Sequence, residues 1–187
     1  MLRMKTSRGV IAAAACAALA LVVAAPVGAK THSVKGTQTV VNEEDGIFKM
    51  RGGLVGKWTF TSFEEAPIAD SPYFHAEGTE LFKGCLDRAR DRSCKRDPTG
   101  TLSFTFEYWA LFASPDPESL VWGACWHPIV KGTGDFAGAQ GVLVMADTPT
   151  GGGVKTKYIG NVTLKAKGAQ GTAQTASASR SSCGATG

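Results

Sequence analysis

Acid–base chemistry needs a titratable group whose surroundings can tune its proton affinity, and Glu80 is the first candidate in this 187-residue chain. It shares its strand-like face with Phe74, Ala76, Gly78 and Phe82. Burial on such a face raises the pKa of a carboxyl and equips it to give or take a proton. Tyr108 and Tyr158 lie on the apolar faces of their own runs, where a phenol could stabilise charge. The competing reading pairs Glu80 with a tyrosine hydroxyl or leaves it in water at a barrel mouth. Glu64 has inward parity too, but at a strand end it is expected to face solvent.

The two histidines that could act, His75 and His127, fall on outward parity, and no Ser or Asp arrangement around them reads as a triad. His127-Pro128 is expected to end a strand, and both histidines read as structural. Asp87, Asp91 and Asp97 suggest calcium, but the glycine at the sixth position and the alternate oxygen ligands of an EF-hand loop are missing. Five basic residues interleave with these acids, so a self-paired, solvated loop is expected and no metal. No cofactor signature is present.

Cys85, Cys94, Cys125 and Cys183 form an even set that favours disulfides in an exported chain, with three connectivities open. A local Cys85–Cys94 bridge would brace the charged loop and leave Cys125 for Cys183, tethering the tail. Zinc is the competing reading, without CxxC spacing or a nearby His pair to support it.

Strands must position these groups. Period-two alternation runs from residue 33 to 166, with candidate strands 33–42, 47–52, 54–64, 73–84, 100–112, 119–129, 140–147 and 154–166. Leu102, Phe104, Phe106, Tyr108, Ala110 and Phe112 oppose Thr101, Ser103, Thr105, Glu107, Trp109 and Leu111. Leu54, Gly56, Trp58 and Phe60 oppose Lys57, Thr59 and Thr61 in the same way, and Val154, Tyr158, Val162 and Leu164 oppose Lys155, Lys157, Asn161 and Lys165. The expected fold is all-β: an eight-stranded antiparallel barrel of calycin type, with a two-sheet sandwich as the alternative. Eight strands enclose a lumen that side chains can fill or that can hold one small ligand.

Residues 1–29 read as a signal peptide. Arg3, Lys5 and Arg8 precede the apolar run Val10 to Ala25, and Val27-Gly28-Ala29 offers a cleavage site. Cys16 follows three alanines, but the apolar run continues past it, against a lipoprotein cleavage there. The apolar run is short for a membrane span. A barrel domain over 30–166 and a low-complexity flexible tail over 167–187 complete the expected organisation, placing the protein in a secreted or extracytoplasmic compartment. The formal charge of +4 falls to 17 basic against 16 acidic side chains once the first 29 residues are removed. That near-balance argues against a nucleic-acid partner. Asn161-Val162-Thr163 is a glycosylation sequon by pattern alone.

One stretch carries a resemblance. Pro128 to Gly141 reads as two glycine-rich turns with Phe136 between them, placed to plug apolar space below. Gly132, Thr133, Gly134, Phe136, Gly138, Ala139 and Gly141 resemble the glycine-rich signature of the allene oxide cyclase and dirigent barrels. The resemblance is strongest over 128–166 and extends loosely over 33–166. It implies the barrel frame, and its members include cyclases of fatty-acid epoxides, dirigent proteins that steer phenol coupling, and some trimers. The catalytic residues of those families have no matching motif here.

The functional expectation is a secreted, non-catalytic barrel that binds a small apolar or aromatic molecule in its lumen. Trp58, Phe104, Phe106, Tyr108 and Tyr158 would supply contact area and Glu80 the polar anchor. An isomerase or cyclase using Glu80 is the second reading. The third is a solid structural module of the cell exterior, a homo-oligomer meeting through outward Trp109 and Phe63. A filled lumen would count against the first two.

Overall fold

Residues 28–66, 68, 71–114, 119–151 and 153–165 are described by a computed structural model. Residues 1–27 and 166–187, which hold most of the expected signal peptide, the expected tail and Cys183, lie outside them. Eight antiparallel strands, β1 (Lys30–Asn42), β2 (Ile47–Gly52), β3 (Leu54–Glu65), β4 (Tyr73–Leu86), β5 (Thr99–Phe112), β6 (Leu120–Gly134), β7 (Gln140–Thr150) and β8 (Gly153–Leu164), follow one another around a closed barrel. The seam is β1 on β8, paired from Lys30–Leu164 to Gln38–Thr156. Closure removes the exposed strand edges that invite aggregation.

Alternation sets which faces are buried. On β5, Leu102, Phe104, Phe106 and Ala110 are buried while Thr105 and Glu107 are exposed; on β3, Leu54 and Trp58 are buried while Lys57 is exposed. The core is a ring-rich cluster of Trp58, Phe82, Phe104 and Phe136 with Leu and Met side chains around it. Truncating any one of these rings to alanine is worth about 3–5 kcal/mol.

One bulge overturns a sequence-based placement, and a second interrupts the β5–β6 ladder. On β3 the register slips between Phe60 and Ser62, so Phe63 pairs with inward Gly78. The extra residue reverses parity beyond it. Phe63 therefore turns inward at the barrel rim, its ring 5.4 Å from Phe60 and 6.0 Å from Phe106, and Glu64 turns outward. On β6 the register slips opposite Ser103 and Phe104, leaving Val130 as the extra residue.

His127 is likewise buried and inward, not outward, and β6 runs through it to Gly134 instead of stopping there. The alternation of β6 misleads because its outer positions include Trp122, Trp126 and Val130, all exposed. The inner positions Gly123, Cys125 and His127 are the less apolar set. Trp109 does face outward, half-stacked on His75 at a centroid distance of 4.3 Å.

The glycine-rich stretch forms one turn, not two, because the β5–β6 ladder continues as far as the Gly100–Gly134 pair. Phe136 in that turn is fully buried and plugs the barrel end. Gly132 makes this fit: a Cβ there would stand 1.9 Å from the Phe136 carbonyl oxygen. Gly134, at φ 63°, takes the left-handed conformation that starts the turn.

Candidate functional site

Glu80 and His127 meet inside the lumen. Nε2 of His127 lies 2.9 Å from Oε2 of Glu80, and both side chains are about 97% buried or more. β4 brings Glu80 inward opposite Phe60 and Phe104. β6 delivers His127 beside Trp58 (ring centroids 5.5 Å), Phe106 (6.1 Å) and Phe104 (6.4 Å). Trp58 stacks on Phe104 at 4.5 Å, closing one wall of the enclosure. Glu80 is thus buried against His127, neither paired with a tyrosine hydroxyl nor exposed at the barrel mouth.

The pair is close but poorly aligned for hydrogen bonding. Among the described residues, Glu80 Oε2, His127 Nδ1 and Trp58 Nε1 have no hydrogen-bond partner. Buried polar groups are hydrogen-bonded in the great majority of cases, so three unmatched in one ring-lined space call for a reason. Their chemistry is complementary to a hydroxyl or carbonyl: a carboxylate acceptor, an indole donor and an imidazole that can serve either way.

Toward the open rim the lumen becomes half-buried. Phe60, Phe74, Tyr108 and Phe112 line it with Asp147 and Thr156. The Thr156 hydroxyl donates to Asp147 Oδ1 at 2.5 Å. Burial, and then the neighbouring Asp147, push the Tyr108 phenol well above its ordinary pKa. The phenol therefore stays protonated. A Cβ at Gly123 would stand 2.3 Å from the Tyr108 hydroxyl, so that glycine admits the ring.

Cys125 also faces this space. Burial, followed by the charges of Glu80, Asp147 and Glu107, pushes its thiol far up, which makes it a poor nucleophile. Among the described residues it has no disulfide partner, and Cys183, its expected partner, lies outside them. Cys85 and Cys94 are bonded to each other as expected. The Asp87, Asp91 and Asp97 carboxylates converge within 4.8 Å, but each is satisfied within the loop. Asp87 accepts from the Asp91 and Arg92 N–H groups, Asp91 from Ser93, and Asp97 pairs with Arg88.

Of the ligand-contact residues expected from sequence, Trp58, Glu80, Phe104 and Phe106 converge on His127. Tyr108 lies above them toward the rim. Tyr158 does not join them: its hydroxyl accepts from Leu54 N–H (2.8 Å) and lies 3.2 Å from the Arg51 and Leu54 carbonyls it can donate to. It closes the opposite end of the barrel. The residues that sequence reasoning missed are His127, Asp147, Thr156 and Phe60. The odd-numbered set Gly123, Cys125, His127 and Ile129 was the signal for His127, outweighed by the tryptophans at even positions.

Among the described residues no helix is long and apolar enough to cross a membrane. In comparison with known proteins, the chain matches no family model, no curated protein and no solved structure.

Proposed function

We propose that this is a secreted binding protein whose barrel takes a small aromatic molecule through its open end, a hydroxyl or carbonyl of the guest reaching Glu80, His127 and Trp58. The observation that carries the proposal is the trio of unmatched buried polar atoms in a ring-lined space. Rings packed around Trp58, Phe82, Phe104 and Phe136 fill the lower lumen, which confines a guest to the half above the Glu80–His127 pair. The exported reading is supported by the basic-then-apolar N-terminus and by the Cys85–Cys94 disulfide.

Titration calorimetry with 1-naphthol, an apolar ring carrying one hydroxyl, tests it. One site per chain is expected, with affinity falling about tenfold in Glu80→Gln, the cost of about 1.4 kcal/mol for a charge-assisted hydrogen bond. An unchanged affinity in that variant removes Glu80 from the site; no binding of 1-naphthol or related phenols overturns the reading.

A second reading, isomerase chemistry of allene oxide cyclase type, is favoured by the 2.9 Å carboxylate–imidazole contact inside the lumen. Glu80 would take the proton and His127 return it. It predicts a bell-shaped pH–rate profile on an epoxide of a fatty acid, abolished in Glu80→Gln.

A further inference from the structure

A cleft of about 510 Å³ lies between β1 and the disulfide-bonded loop, at the closed end of the barrel. His32 and Lys35 form its β1 wall, and Arg88, Arg90 and Arg92 its loop wall, with Asp87 at their base. Of the loop's three acids, only Asp87 lines this space, and it is buried with its carboxylate oxygens occupied by the Asp91 and Arg92 N–H groups.

The backbone is organised for the same outcome. Arg90, Arg92 and Cys94 take φ of 59°, 59° and 56°, a conformation uncommon for residues other than glycine. Such residues persist where surrounding structure over-determines them. Here the Cys85–Cys94 bridge and the Asp87 carboxylate supply that restraint. Alternating left-handed residues also make a nest of N–H groups, and Asp87 fills it from within. Arg88 is engaged by Asp97 at 3.2 Å, whereas Arg90 and Arg92 make no ion pair among the described residues.

We propose that this cleft is a binding site for a phosphate-type oxyanion, carried by a small molecule or by a lipid head group, and gripped by Arg90, Arg92 and Lys35. Three cations without an ion pair among the described residues, against one occupied carboxylate, match a doubly or triply charged group better than a single carboxylate. The arginine fork pairs with phosphate oxygens two at a time. His32 in the β1 wall has its pKa lowered, first by burial and then by Lys30 and Arg88. This site is separate from the lumen and independent of what binds there.

The test is calorimetry of the disulfide-bonded protein with inorganic pyrophosphate at 20 mM and 200 mM salt, beside sedimentation with phosphatidylglycerol and phosphatidylcholine vesicles. Saturable pyrophosphate binding is expected, weakening with salt and falling at least tenfold in Arg90→Gln/Arg92→Gln. Lys35→Gln on the opposite wall should also weaken it, which guards against a loop variant that merely misfolds. Added binding when phosphatidic acid, a phosphomonoester that can carry two charges, is included in the vesicles, lost in the same variants, assigns the head group; indifference to vesicles assigns a free phosphate compound. The site is overturned if pyrophosphate does not saturate, if only vesicles bind, or if the variants bind as the parent does.

Discussion

The two ends of the lumen are built from the same eight strands and differ in what finishes them. At the closed end Leu54, Leu86, Leu102, Phe136 and Val162 are at most 2% exposed. There Tyr158 spends its hydroxyl on β2 and β3 backbone. At the open end Phe60, Tyr108 and Phe112 are half-buried, and polar groups face inward without full partnership. Stability is concentrated where a turn folds a ring into the barrel. The capacity to bind is left where no such plug exists.

The sharpest way to break this contrast is to unplug the closed end. Phe136→Ala should cost about 3–5 kcal/mol in urea unfolding, lost transfer energy and cavity together. A loss below about 1 kcal/mol would mean that the turn does not hold the barrel shut. Next in size is the buried pair. Glu80→Leu strands His127 and should cost on the order of 3 kcal/mol, while Glu80→Leu/His127→Leu should recover most of it and still fail to bind 1-naphthol. Recovery of stability with binding intact would sink the separation of roles.

Tyr158→Phe comes third, at about 1–3 kcal/mol, because the buried Leu54 N–H loses its acceptor. The matched change at the open end, Tyr108→Phe, should cost under about 1 kcal/mol. Comparable losses in the two would erase the difference between the ends.

A pH series probes the buried phenol without a substitution. Burial holds the Tyr158 phenol up to about 12, from an ordinary value of 10.0. The folded chain keeps that proton while the unfolded chain releases it. This contribution is whole below pH 10 and is lost as pH rises through the folded pKa. Stability should fall between pH 10 and 12 by about 1.4 kcal/mol per unit for this group. Tyr158→Phe should reduce the slope by that amount in urea unfolding followed by tryptophan fluorescence, leaving the part that the raised Tyr108 phenol and Cys125 thiol contribute.

The fold was legible because β3, β5 and β8 each carry one clean apolar face, and alternation reads directly as inside and outside. The Cys85–Cys94 bridge was legible from a short span across a charged loop. The site was legible only in part. Glu80 stood out as a carboxylate among Phe and Gly, but His127 hid on a strand whose outer face is the more apolar. Phe63 was misplaced because a single extra residue in β3 reverses every side chain after it. No local pattern announces a bulge; it is decided by how β3 sits on β4. Tyr158 had the right parity and the wrong destination, since its reach to β2 and β3 depends on register.

The pairing of Lys30 with Leu164 has a consequence for how the molecule comes into being. Its first strand pairs early with β2 but finds its other neighbour only when β8 exists, so the seam cannot form during synthesis of the first seven strands. Until then both flanking edges stay open to mispairing, and the final step brings together segments more than a hundred residues apart. Non-local closure of this kind folds slowly. The chain is thus made to remain threadable until complete, and then to shut once.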